Sequence, residues 1–124
     1  MEMKKKVLIV EDEALHALHL KKILKNKGFE ISGIVSIGDE VFKSVEKDCP
    51  DLALMDITLR NSIDGIEVTN ILRKKYDFPI IFISGYNDEA TLKKTSQIKN
   101  AWKLTKPISE TALLKMIDGV LKDI

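Results

Sequence analysis

The segment Asp51-Leu52-Ala53-Leu54-Met55-Asp56 constrains this chain more than any other. Four consecutive apolar residues follow Pro50 and Asp51 and stop at a carboxylate. So short and apolar a run, bounded so tightly, reads as a strand buried on both faces, as at the centre of a parallel sheet. Open α/β sheets hold their ligands outside the carboxyl ends of their strands. Asp56 therefore stands where chemistry is expected.

The other segments repeat the theme. Residues 6–10 carry four aliphatics, three of them β-branched, and read as a strand. A helix over about 14–27 follows, with Ala17, Leu20, Ile23 and Leu24 on one face and Gly28 as its left-handed stop. Residues 29–35 alternate as a second strand, weakened by Ser32 and Gly33. Ser36 or Asp39 opens the next helix, which carries Val41, Phe42 and Val45 and ends before Pro50. After the central strand a polar loop, 58–64, closes at Asp64-Gly65. A helix over 66–76 then turns Val68, Ile71 and Leu72 inward. Pro79 introduces the apolar strand Ile80-Ile81-Phe82-Ile83, which ends at Ser84-Gly85. Asn87 or Asp88 caps a fourth helix through about residue 97, whose apolar stripe is thin: Ala90, Leu92, then Ile98. A short strand over 101–104 leads to Thr105-Lys106-Pro107. Ser109 caps the last helix, in which Leu113, Met116, Ile117, Val120 and Leu121 form a broad apolar face.

Five strands alternating with five helices imply parallel pairing through right-handed crossovers. The expected fold is a flavodoxin-like, doubly wound five-stranded parallel sheet in the order 2-1-3-4-5, one domain over residues 1–124. The fourth helix, with the fewest apolar contacts, is expected to be the readiest to move.

Composition narrows the function. The formal net charge is +1, with lysines alternating with acids, which argues against direct nucleic-acid binding, where basic residues concentrate on one face. The single cysteine, Cys49, cannot form an internal disulfide and fits a reducing cytoplasm; before Pro50 it reads as a small buried hydrophobe. The basic start Met-Glu-Met-Lys-Lys-Lys is followed by only four apolar residues before Glu11-Asp12-Glu13, too few for a signal peptide. Nothing approaches a membrane span. The expectation is a soluble cytoplasmic protein without an address label.

The strand ends carry the chemistry: Glu11 and Asp12 on the first, Asp56 on the third, Ser84 on the fourth, Lys106 on the fifth. In this topology they become neighbours on one edge of the sheet. Three carboxylates so close are electrostatically costly, and a hard divalent cation with oxygen ligands, Mg²⁺, relieves the cost. Glu11, Asp12 and Asp56 are the expected ligands, with the backbone carbonyl of Thr58 well placed to add another. A carboxylate beside Mg²⁺ can attack phosphorus and become an aspartyl phosphate. Such transfer needs the equatorial phosphoryl oxygens neutralised: the metal takes one, the Lys106 ammonium a second, and the Ser84 hydroxyl with the Gly85 N–H a third. A cis Lys106-Pro107 bond would aim the lysine inward.

At these residues the chain resembles a known family. Val7-Leu8-Ile9-Val10-Glu11-Asp12-Glu13, Leu54-Met55-Asp56-Ile57, Asp64-Gly65, Ile83-Ser84-Gly85-Tyr86 and Thr105-Lys106-Pro107 resemble the receiver domain of two-component response regulators, in order and across essentially the whole chain. The resemblance implies a phosphoryl group taken from a histidine kinase or phosphotransfer protein onto Asp56, Mg²⁺ on Glu11 and Asp12, a switch hydroxyl at Ser84 and a phosphoryl contact at Lys106. The stretch from Ser84 to Leu92 looks like the variant often found with sensor histidine kinases. Two positions depart from the family. Lys103 stands where an aromatic residue usually does, with Trp102 beside it, and Arg60 stands where proline is common.

The resemblance implies a switch whose output face lies around Lys93, Lys94, Trp102 and Lys103; dimerisation is left open. Two rivals are a degenerate receiver that serves as a docking module, and a Mg²⁺-dependent phosphohydrolase working through an aspartyl phosphate. The latter resembles haloacid dehalogenases, which want a second acid where Thr58 stands. Thr58 and Tyr86 sit where they could shape water access to an acyl phosphate. Glu13 is read as favouring the dipole of the first helix. His16 and His19, three apart, lack a third ligand and are assigned to a solvated face, with His16 close to the acids. Since neighbours in a strand point oppositely, either Trp102 or Lys103 should face out; Trp102 is expected to be partly buried.

Overall fold

The computed structural model describes residues 4–59, 62–85 and 89–122. Five strands, β1 (Lys6–Val10), β2 (Glu30–Val35), β3 (Leu52–Asp56), β4 (Ile80–Ser84) and β5 (Ala101–Thr105), alternate with five helices. These are α1 (Ala14–Asn26), α2 (Val41–Lys47), α3 (Gly65–Leu72), α4 (Glu89–Ser96) and α5 (Glu110–Leu121). All strand pairs are parallel and the order is β2-β1-β3-β4-β5, as the sequence pattern predicts. Among the described residues no helix is long and apolar enough to cross a membrane.

Alternation along the inner strands divides the core into two layers. Val7, Ile9, Leu52, Leu54, Ile81 and Ile83 pack against α1 and α5 through Leu20, Leu24, Leu113 and Ile117. Leu8, Val10, Ala53, Met55, Ile80 and Phe82 pack against α2 and α3 through Val41, Val45, Val68 and Leu72. Every residue of β3 and β4 is buried, which is why those strands read as unbroken apolar runs. Gly28, at φ +89°, ends α1. Asp64 and Ser109 cap α3 and α5, accepting from Glu67 N at 2.8 Å and Ala112 N at 2.9 Å.

Several expectations need correction. Neither Ser36 nor Asp39 caps the second helix; the chain enters it through a 3₁₀ turn, Gly38–Glu40, preceded by Ile37. Its Gly38 N–H is satisfied from afar by Ser62 Oγ at 3.0 Å, so a local cap is not needed there. α3 stops at Leu72 rather than 76 and leaves Ile71 45% exposed. The Arg73 guanidinium turns away to the carbonyls of Lys99 and Asn100, at 3.1 and 2.9 Å, tying the end of α3 to the entry of β5. Cys49 is exposed, because Pro50 takes the buried place beside it. Trp102 is 38% exposed while Lys103 is half-buried, so the tryptophan is the more exposed of the pair. In β2 the register against β1 slips between Val7 and Leu8, whose partners are Ile31 and Gly33. Ser32 is therefore the extra residue of a bulge. The expected caps Asn87 and Asp88, and Arg60, lie outside the described residues.

The fourth helix is as thinly anchored as its sequence suggests. Thr95 is its one buried residue, and Leu92 is exposed. The Thr95 hydroxyl donates back to the carbonyls of Thr91 and Leu92, at 3.1 and 3.2 Å.

Gly65 shows how closely α3 is drawn against β3. A Cβ there would lie 2.3 Å from the Asp56 carbonyl oxygen and 2.9 Å from Met55 Cγ. The first neighbour is backbone and cannot step aside. Gly65→Ala should cost about 1–3 kcal/mol and lower the urea midpoint; an unchanged midpoint would contradict this packing.

Candidate functional site

Parallel pairing aligns the carboxyl ends of β1, β3, β4 and β5. Val10 is opposite Met55, Asp56 opposite Ile83, and Ser84 opposite Thr105. The residues that leave these strands are held by one further rung of backbone bonds. Glu11 N–H donates to Val35 O at 2.9 Å, Ile57 N–H to Ile83 O at 3.0 Å, and Lys106 N–H to Ser84 O at 2.8 Å. Side chains distant in sequence thereby meet. Lys106 Nζ lies 3.3 Å from Asp56 Oδ2 and 3.3 Å from Glu11 Oε1, and the Lys106-Pro107 bond is cis. Glu13 is a more distant partner of the same ammonium, at 3.9 Å.

Glu11 and Asp56 are buried, at 2% and 4% exposure, as is Ser84 at 1%. One ligand atom from each of Glu11, Asp12 and Asp56 falls within 4.8 Å of the others. Asp56 Oδ1 accepts from Thr58 N–H at 3.2 Å, and Glu11 Oε2 from Glu13 N–H at 3.1 Å. Glu11 Oε1 is hydrogen-bonded to His16 Nδ1.

The two buried acids are pushed apart in acidity. Burial raises the Asp56 carboxyl, the neighbouring Glu11 raises it further, and Lys106 offsets only part, leaving it at about 7. Burial acts upward on Glu11 too. Hydrogen bonds with Asp56, His16 and the Glu13 N–H, together with the Lys106 charge, outweigh it and bring Glu11 to about 2. Without a metal, one proton thus rests on Asp56 beside an ionised Glu11; the two titrate as a pair.

Of the residues singled out in sequence, the structure brings Glu11, Asp12, Asp56 and Lys106 into one cluster, and Ser84 ends the neighbouring strand, where its carbonyl accepts from the Lys106 N–H. Thr58 is exposed beside them, touching Asp56 through its N–H. Lys93 and Lys94 are exposed on α4, and Trp102 and Lys103 lie on β5. Tyr86 lies outside the described residues. His16 departs from expectation. His19 is exposed, but His16 is half-buried against Glu11. The available signal was its position: a histidine in the first turn of the helix that follows a strand-end acid. A depression of about 780 Å³ opens elsewhere, by the starts of β1 and β2 near Lys4, Lys6 and Phe29.

Comparison with known proteins agrees with this geometry. Residues 7–118 match the response regulator receiver domain. The transcriptional regulatory protein PdtaR of Mycobacterium tuberculosis is 30% identical over 92% of this chain and 55% of its own length. The alkaline phosphatase synthesis regulator PhoP of Bacillus subtilis is 31% identical over 97% of this chain and 50% of its own. The chain thus spans about half the length of these curated relatives. Among solved structures, a CheY-like receiver domain protein from Methanospirillum hungatei superposes with a TM-score of 0.89 at 26% identity, covering 98% of this chain and 96% of that one. The PhyR receiver domain of Erythrobacter litoralis gives 0.85 at 28%, covering 96% and 91%. The chain belongs to the receiver-domain family of two-component response regulators. Members of this family bind Mg²⁺ at an acidic pocket and interact with histidine kinases or phosphotransfer partners and with output domains.

The residues present fit such an ion. The clustered donors are all carboxylate oxygens, two of them on buried side chains, which is the chemistry a hard cation takes. Lys106 offsets only part of the upward push that burial and Glu11 exert on Asp56, so further positive charge would be favoured there.

That proton sets a pH dependence. The folded Asp56 binds it up to about 7, whereas an unfolded aspartate releases it near 4. Between those values the folded state holds more protons, so Asp56 makes stability fall as pH rises. Glu11 acts in the opposite sense and in a lower window; its contribution is present above about 4.5 and is lost as pH falls towards 2. In EDTA, Asp56→Asn should flatten the fall between pH 4.5 and 7 and raise stability at pH 7.5 by something on the order of 2 kcal/mol. Urea unfolding across that range measures it, and an unchanged slope would refute the buried, protonated Asp56.

Proposed function

We propose that this chain is a phosphorylation-controlled switch in which Asp56 accepts a phosphoryl group from a histidine kinase or phosphotransfer protein in a Mg²⁺-dependent reaction. The observation that carries this reading is the meeting of Asp56, Glu11 and Lys106 within one pocket at the sheet's carboxyl edge, with Lys106 Nζ 3.3 Å from both acids. A lysine held between two carboxylates is poised to exchange them for a phosphoryl oxygen.

The chemistry then assigns roles to the surrounding groups. With Mg²⁺ bound the Asp56 proton would pass to solvent; the freed oxygen attacks phosphorus as the P–N bond of the donor breaks, and the imidazole, protonated on its other nitrogen, leaves as the neutral ring with the bonding pair. Glu11, Asp12, Asp56 and the Thr58 backbone carbonyl would hold Mg²⁺, which supplies positive charge against the phosphoryl oxygens. The Thr58 N–H holds Asp56 Oδ1 in place. Lys106 shifts its compact ammonium to a phosphoryl oxygen, and the Ser84 hydroxyl with the Gly85 N–H donates to another. No proton transfer to substrate is needed; positioning and charge carry the step.

The output follows from the same displacement. Drawing Ser84 inward repositions the chain that leads into α4, the helix with one buried residue, and so biases the surface around Lys93, Lys94, Trp102 and Lys103. An output partner or a second copy of the chain would read that surface. Thr58 occupies the place where an aspartyl-phosphate phosphohydrolase carries its second acid, which favours a switch over a turnover enzyme. A cytoplasmic location goes with this reading, in keeping with the lone Cys49.

The test is direct. With acetyl phosphate and Mg²⁺ the intact mass should rise by one phosphoryl group, and beryllium fluoride should shift amides at Ser84, in α4 and along β5. Asp56→Asn should abolish both. Phosphorylation or shifts that persist in Asp56→Asn would sink the reading. Partner binding indifferent to phosphorylation would instead favour the docking module.

A further inference from the structure

One contact in the pocket belongs to none of the roles above: the hydrogen bond between His16 and Glu11. We infer that His16 is a positioning residue that fixes the Glu11 carboxylate for the metal, an inference that rests on the Mg²⁺ reading just given.

The argument begins with Glu11 itself. Its carboxyl is buried, and as the carboxylate that a metal takes it can only accept hydrogen bonds. Oε2 takes the Glu13 N–H at 3.1 Å. Oε1 takes Lys106 Nζ at 3.3 Å and His16 Nδ1, so the His16 Nδ1 carries the hydrogen and donates it. These two donors differ in permanence. Lys106 is an ammonium on a flexible stem, shared with Asp56 and wanted by the incoming phosphoryl group. His16 is a short side chain in the first turn of α1, where side chains lean back over the preceding turn. Its helix is anchored next to it by the buried Ala17 and Leu20. When Lys106 leaves Glu11, His16 is the donor that stays on Oε1.

His16 is not itself a member of the ligand group. The atoms that come within 4.8 Å of one another belong to Glu11, Asp12 and Asp56, and imidazole is not the donor a hard cation selects. Its place is behind a ligand. There a hydrogen-bond partner sets carboxylate orientation, and removing such partners typically weakens metal binding about 10- to 100-fold.

The experiment titrates the unphosphorylated chain with Mg²⁺, following amide shifts near Glu11 and Asp56, for wild type, His16→Leu and His16→Asn. An asparagine amide can place an N–H where Nδ1 stood; leucine fills the space without one. His16→Leu should bind Mg²⁺ about tenfold more weakly and His16→Asn within about twofold of wild type. The melting temperature of each in EDTA reports any purely structural effect. Equal Mg²⁺ affinity in all three proteins overturns the assignment, as does His16→Asn binding as weakly as His16→Leu. A wild type that shows no Mg²⁺-dependent shifts takes the metal reading down with it, which separates the two failures.

Discussion

Two carboxylates buried side by side are the constraint on which this end of the molecule depends. Glu11 and Asp56 are almost wholly removed from water, and isolated ions cannot survive there. Each is stabilised differently. Glu11 keeps its charge because hydrogen bonds with Asp56, His16 and the Glu13 N–H, with the Lys106 charge, outweigh its burial; Asp56 instead holds its proton far above the usual carboxylate range, up to about 7. Lys106 ties the two together from a third strand. The arrangement is held by a parallel sheet whose order places β3 between β1 and β4, and by the absence of a side chain at Gly65, which lets α3 close against the Asp56 backbone.

Stability and chemistry are therefore drawn from different parts of the fold. The inner strands β1, β3 and β4 lie between two apolar layers, with Leu8, Leu54 and Phe82 fully buried. This supplies the burial that tolerates an electrostatically strained rim. The edge strands are poorer: β2 is bulged at Ser32, and no residue of β5 is fully buried. The rim residues hang from the well-packed strands, apart from Lys106, which follows β5. The lysine that changes partners in the proposed reaction thus follows the least buried of the strands that form the pocket.

Much of this was legible in the amino-acid sequence because apolar runs and strand ends are local signals. The runs Val7–Val10, Leu52–Met55 and Ile80–Ile83 announce buried parallel strands, and topology alone brings Glu11, Asp56, Ser84 and Lys106 together. What could not be read depends on non-local partners. The Gly38 N–H finds Ser62 Oγ across 24 residues, so neither Ser36 nor Asp39 is needed as a cap. Pro50 rather than Cys49 occupies the buried site, because neighbouring residues in a chain compete for it. Ile71 is helical and apolar yet exposed, since α3 is too short to bury a second row. His16 reads as solvent-facing in the sequence because a metal site wants three ligands at countable spacing; a single hydrogen bond to a strand-end acid leaves no spacing to count.

The scant anchoring of α4 has an energetic meaning for signalling. A helix with a single buried residue, Thr95, gives up little buried surface when it changes place, so its alternative placements differ by a small free energy. A modest difference in how a covalent modification interacts with each placement then suffices to invert their populations. The same weakness limits how much work the helix can deliver: it can tip a partner that is already close to balance, but it cannot force one that is not.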